Sequence, residues 1–268
     1  MQLIETIRQK KSFLCVGLDS DPKLLPAHLA DKKNAIFEFN RAIIDATAPY
    51  AVAYKPNTAF YEAEGAAGWE QLEATVAYIK ANYPECFVIA DAKRGDIGNT
   101  AQRYAKAFFE KMNCDAVTLA PYMGKDSIAP FLAYENKYAI VLALTSNPSA
   151  EELETQPLQQ GGALYEQVIR QCLSYENSER IMFVVGATRP QKLAEIRNLA
   201  PESFFLVPGV GAQGGTVEEV AQYGLNENCG LLVNSSRGII FASKGEDFAQ
   251  VAAREARILA EKMAAYIK

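Results

Sequence analysis

The chain is short of the residues most enzymes rely on. It has 268 residues, of which only one, His28, is histidine. His28 lies in the polar stretch Pro26-Ala27-His28, where an exposed loop position is expected. A Ser-His-Asp mechanism and a multi-histidine metal site are therefore not expected. The five cysteines, Cys15, Cys86, Cys114, Cys172 and Cys229, are odd in number and nowhere spaced C-x-x-C. They read as buried thiols of a reducing compartment. No apolar run approaches the length of a membrane span. The opening MQLIETIRQKKSF has no apolar h-region, so a cytoplasmic location is expected. The net charge is −5 and no block of lysine and arginine stands out, which argues against nucleic-acid or membrane-surface partners. No Pro/Gly/Ser-rich linker breaks the composition, so one domain over 1–268 is expected.

What is present is alternation. Hydrophobic residues make up 49% of the chain, enough for a large core, and charged residues 22%. Eight short, nearly continuous apolar runs recur: Phe13–Leu18, Ala51–Tyr54, Phe87–Ala90, Ala116–Leu119, Ala139–Leu144, Ile181–Val185, Phe204–Val207 and Leu231–Val233. Strands buried on both faces of a parallel sheet have this character. Helix-length segments lie between them. One carries Ile36, Phe39, Ile43 and Ile44 on a single stripe; another carries Ala101, Tyr104, Ala105, Phe108 and Met112. Asn99 with Gln102, and Thr216 with Glu219, have the spacing of an N-cap and its third helical residue. A final helix is expected over Phe248–Ile267. The longest irregular stretch, Ser146–Gly162, suggests a functional or mobile loop. Eight β-then-α units over this length favour an α/β fold of the (β/α)₈ TIM-barrel type, with a doubly wound open sheet as the competitor.

Barrel enzymes place their sites at the C-terminal ends of the strands. Those ends read Asp19, Lys55, Asp91 with Lys93, Pro121, Ser146, Thr188, Gln213 and Arg237. The densest is Asp91-Ala92-Lys93-Arg94-Gly95-Asp96. Strand alternation would turn Asp91 and Lys93 the same way, and neighbouring carboxylates would hold the lysine charged. Such a lysine can donate a proton to a developing carbanion. An ion pair that merely closes the barrel top is the plainer alternative. The segment Pro208–Gly215 contains G-x-G-x-x-G, but it belongs to the seventh unit and lacks the acidic residue of a dinucleotide site. It reads better as a loop whose N–H groups approach a phosphate, with Ser235-Ser236-Arg237-Gly238 completing the cradle. A plain glycine-rich turn beside a surface arginine remains the other reading. Met123-Gly124-Lys125-Asp126 is not a P-loop.

The run from Asp91 to Thr100, with Arg94-Gly95-Asp96-Ile97 at its centre, resembles the signature of the orotidine 5′-phosphate decarboxylase family. The closest likeness is to its bacterial members. The resemblance extends over essentially the whole chain. Val16-Gly17-Leu18-Asp19 looks like the first-strand aspartate and Lys55 like the second-strand lysine. Ser146 resembles the serine that contacts the pyrimidine. Pro208 and Gln213 match the phosphate-gripping loop, and Arg237 the phosphate arginine. Many relatives have glycine where Ser236 precedes that arginine. The resemblance implies decarboxylation of orotidine 5′-monophosphate to uridine 5′-monophosphate, the last step of de novo pyrimidine synthesis, with Lys93 as proton donor. Asp91, Asp96 and Lys55 would be its charged partners. Asp19 and Thr100 would bind ribose hydroxyls. It also implies no metal and no organic cofactor. A homodimer is implied as well, in which Asp96 and Thr100 enter the partner's site. A magnesium-dependent sugar-phosphate decarboxylase or aldolase of the same superfamily is the near alternative. A phosphate-ligand-binding barrel without activity is the distant one.

Overall fold

The computed structural model describes residues 2–187, 190–210 and 215–267. Eight parallel strands close into a barrel in chain order: β1 (Leu14–Leu18), β2 (Ala51–Pro56), β3 (Phe87–Arg94), β4 (Ala116–Leu119), β5 (Tyr138–Leu144), β6 (Ile181–Val185), β7 (Phe205–Pro208) and β8 (Leu231–Ser235). Each of the eight expected runs becomes a strand. Four strands extend beyond their apolar run at the C-terminal end, through Lys55-Pro56, Asp91–Arg94, Pro208 and Asn234-Ser235. At the end of β2 the ladder with β1 continues through Lys55 although its side chain is charged.

The chain packs as two compact units. The first comprises Met1–Ala92, Met112–Cys114 and Asn234–Lys268. In it β1 and β2 pair with Gly17 opposite Lys55 and Leu18 opposite Pro56. The helix Ala35–Thr47 buries the expected stripe of Ile36, Phe39, Ile43 and Ile44. Phe39 stacks on Phe241 and Phe248 with ring centroids 5.3 and 5.2 Å apart. A fully buried side chain of this kind contributes about 1.5–3 kcal/mol. The last helix is Phe248–Ala264, three residues shorter than expected. His28 is exposed as expected, but on a one-turn helix, Ala27–Ala30, rather than in a loop.

The second unit comprises Lys93–Lys111 and Asp115–Val233. There β4 pairs with β5, β5 with β6, and β6 with β7. Thr216 is the N-cap of helix Val217–Gly224, its side chain accepting the Glu219 N–H, as expected from the spacing. Asn99 is not a cap. The helix begins at Gly98, which takes φ 54, with Ile97 as the capping residue and no side-chain cap hydrogen bond. A π-helical turn over Ala107–Lys111 follows. It lets both Phe108 and Phe109 bury, where a regular stripe would have buried only Phe108. The stretch after β5 is less irregular than expected. It contains the one-turn helix Ala150–Leu153 and a bridge between Pro157 and Ala163.

All five cysteines are buried. Among the described residues no helix is long and apolar enough to cross a membrane.

Candidate active site

In the first unit the ends of β1, β2 and β3 bring three charges together. Lys55 is buried, with Nζ 2.6 Å from Asp91 Oδ2 and 3.9 Å from Asp19 Oδ1. Burial alone pulls the Lys55 ammonium down, but the carboxylates of Asp91 and Asp19 outweigh it and hold the ammonium above the usual lysine range. Cys15 lies within the field of the same three charges. Burial pushes its thiol up to about 12, so it is a neutral, unreactive side chain. Asp19 Oδ1 is buried and makes no hydrogen bond among the described residues.

Asp19 itself is bracketed by a buried polar network with no local signature in the sequence. Tyr61 donates to the Leu18 carbonyl at 3.0 Å, and Ser20 donates to Asn40 Oδ1 at 2.5 Å. Asn40 Nδ2 in turn donates to Tyr61 and Thr75. The residues before and after Asp19 are thus both tied to Asn40.

Arg237 is exposed and opens the one-turn helix Arg237–Ile240, which Ser236 precedes at φ −118. No glycine is needed at Ser236 for that backbone. The glycine that makes room is Gly17, where an added Cβ would lie 2.7 Å from Ser236 Cβ. Ser236 then donates to the Gly17 carbonyl at 3.2 Å.

In the second unit Lys93 is exposed and takes φ 45, the left-handed region that side-chain-bearing residues avoid. The simple alternation expected across Asp91 and Lys93 stops here: Asp91 is buried and Lys93 is not. The Lys93 N–H donates to Thr118 Oγ1 at 2.9 Å. The Arg94 carbonyl accepts from Ala120 N at 2.7 Å. The Arg94 guanidinium lies 5.2 Å from the Tyr104 ring centroid. Asp96 is half-buried, its Oδ1 accepting the Ile97 N–H at 2.7 Å. Thr100 is exposed on the following helix.

Ser146 is half-buried just past β5. Gly186, at the end of β6, permits its close approach, since a Cβ there would sit 2.9 Å from Ser146 N. Thr145 fixes the start of the stretch, donating from N and Oγ1 to the two Glu154 oxygens at 2.7 and 2.8 Å. Pro208 ends β7, its carbonyl accepting from Ala187 N at 3.0 Å. Gly209 takes φ 99, and its carbonyl accepts from Gly215 N at 3.3 Å. The described residues Gly209 and Gly215 are thereby tied together. Gln213 and Thr188 lie outside the described residues. In the first unit Gly17 makes room for Ser236, and in the second Thr118 holds the Lys93 amide and Gly186 makes room for Ser146, although no sequence motif points to these three. Thr118 has one detectable signal, as the only polar residue in the run Ala116–Leu119.

Chemically, the first unit offers a buried cation fixed between two carboxylates, and the second an exposed lysine on a constrained backbone. Residues 12–252 match the model of the orotidine 5′-phosphate decarboxylase / HUMPS family. The orotidine 5′-phosphate decarboxylase of Flavobacterium johnsoniae is 58% identical over 99% of this chain and 97% of its own. That of Phocaeicola vulgatus is 56% identical over 98% of this chain and 96% of its own. The solved structure of Leishmania donovani OMP decarboxylase superposes with a TM-score of 0.81 at 36% identity, covering 97% of this chain and 100% of that one. On the match to the family model and these identities, the chain belongs to the orotidine 5′-phosphate decarboxylase / HUMPS family.

Proposed function

We propose that this protein, as one barrel domain over 1–268, decarboxylates orotidine 5′-monophosphate to uridine 5′-monophosphate and CO₂ in pyrimidine synthesis. The carrying observation is the Asp19–Lys55–Asp91 charge chain immediately upstream of Lys93, in a chain 58% identical to a decarboxylase of that name. In the reaction the bond from C6 to the carboxylate breaks. Its electron pair stays on C6 in the ring plane, CO₂ leaves, and a proton passes from Lys93 Nζ to C6. Asp91 and Asp96 orient Lys93, and Lys55 fixes Asp91 through the 2.6 Å hydrogen bond from its Nζ. Asp19 and Thr100 bind ribose hydroxyls. The buried Oδ1 of Asp19 supports that role, because a buried acceptor is stabilised by gaining a donor. Ser146 contacts the pyrimidine, while Pro208, Gln213 and Arg237 form the phosphate grip. Binding energy from the remote phosphate is then available to the transition state.

The working form in this proposal is a cytoplasmic homodimer, with Asp96 and Thr100 entering the partner's site. The exposed apolar side chains of Ile97, Tyr122 and Met123, just past β3 and β4, support such a contact.

The test mixes the protein with orotidine 5′-monophosphate in EDTA and follows the loss of pyrimidine absorbance. Turnover unaffected by EDTA is expected. Activity on a sugar phosphate that EDTA abolishes would instead identify the magnesium-dependent branch. Uridine 5′-monophosphate binding without turnover would leave only a binding protein. A companion variant, Arg237→Ala, should raise KM by about 10- to 100-fold through the lost charge-assisted phosphate contacts. An unchanged KM would remove Arg237 from the phosphate site.

A further inference from the structure

We infer that Thr118 is the positioning residue for Lys93, an inference that rests on the reading of Lys93 as proton donor. Thr118 is fully buried in β4, a strand otherwise composed of Ala116, Val117 and Leu119. Its Oγ1 accepts the Lys93 N–H at 2.9 Å. Lys93 holds φ 45 within a strand, a conformation that crowds Cβ against its own backbone. Such backbone persists only where its surroundings over-determine it.

The surroundings here come from the end of β4. Thr118 fixes the Lys93 amide, and Ala120 N fixes the Arg94 carbonyl at 2.7 Å. Gly95 lies flat against Ala120, where an added Cβ would meet Ala120 Cβ at 3.1 Å. Three consecutive residues are therefore held by one strand end. Of these holds, the one from Thr118 is a side-chain hydrogen bond, so it can be removed while the main chain is left intact. An ammonium stands about 6 Å from its own Cα, so a backbone rotation of tens of degrees at Lys93 moves Nζ by ångströms. A displacement of about 1 Å at a reacting group can cost about 100-fold in rate. The defect from losing the Thr118 hydroxyl should fall on the chemical step, because nucleotide binding uses other residues.

The experiment compares Thr118→Val, Thr118→Ala and Thr118→Ser with Lys93→Ala, measuring kcat, KM, uridine 5′-monophosphate affinity and melting temperature. Valine keeps the shape and loses the acceptor; serine keeps the acceptor. Valine should lower kcat by about 10- to 100-fold, with KM and nucleotide affinity within about threefold. Alanine should show the same split, which keeps the test valid should valine perturb packing. Serine should recover most of the lost kcat. If valine and alanine keep kcat within about twofold while Lys93→Ala is inactive, Thr118 does not position Lys93. The inference fails equally if all three Thr118 variants lose kcat and nucleotide affinity together, the mark of a purely structural role. Full turnover by Lys93→Ala would overturn the reading of Lys93 itself.

Discussion

Lys93→Ala is expected to lower decarboxylation by at least about 10³-fold, since it removes both the proton donor and the cation beside the developing carbanion. The two effects share one side chain, so they disappear together. Affinity for the product nucleotide should change by no more than about threefold, because uridine 5′-monophosphate carries no C6 carboxylate and needs no proton from Lys93. The fold should survive, since the Lys93 side chain is exposed and its backbone amide is held by Thr118. Alanine still has a Cβ, so the cost of φ 45 is carried unchanged into the variant. Single-turnover decarboxylation and a nucleotide titration check the two halves separately. Turnover retained within about tenfold would sink the proton-donor role.

Arg197→Met should be the most destabilising single change away from the site. Arg197 lies on helix Pro190–Leu199, and its guanidinium is buried with no carboxylate against it among the described residues. It donates instead to carbonyls: Gly224 at 2.8 Å, Ala200 at 3.0 Å, Ser203 at 2.6 Å and Gly230 at 2.9 Å. Its plane lies 3.7 Å from the Phe205 ring centroid. The carbonyls of Ala200 and Gly224 belong to helix C-termini, whose last carbonyls have no partner inside the helix. Gly230 immediately precedes β8. Burial lowers the guanidinium to about 10, so it remains charged near neutral pH and keeps every donor. Methionine preserves most of the hydrocarbon volume but strands several buried acceptors. The loss should be about 3–5 kcal/mol, or about 10 °C in melting temperature for a chain of this length. Calorimetry against the parent protein checks this, and a shift below about 3 °C would show that those carbonyls find other donors. Below the transition the variant should retain normal kcat.

These two residues differ sharply in how visible they are in the sequence. Lys93 stands inside a dense polar motif at the end of an apolar run, where charge is unusual. Arg197 sits in an amphipathic helix, where a single charge normally marks a solvated face. Nothing local distinguishes a buried arginine from an exposed one. Its partners lie up to 33 residues away and meet it only when β7 and β8 are in place.

The chain's local chemistry is enough for the barrel's parts. Strands buried on both faces must be apolar throughout, so the eight runs stand out, and Thr216 with Glu219 marks a helix start by side-chain chemistry alone. The same criterion clips β2, β3 and β8 at their C-terminal ends, because charged or polar residues follow the apolar run within the strand there. The sequence by itself determined the fold class, the burial of the five thiols and the concentration of charge at Asp91–Asp96. Only the tertiary structure decided that Lys55 is shared by Asp19 and Asp91, one 36 residues before and the other 36 residues after it in the chain. It likewise decided that Gly17 supplies the space Ser236 occupies, and that Thr118 holds Lys93 at φ 45. Each of these is a meeting of separate strands, and strand register and barrel closure, which no local pattern encodes, fix where they meet.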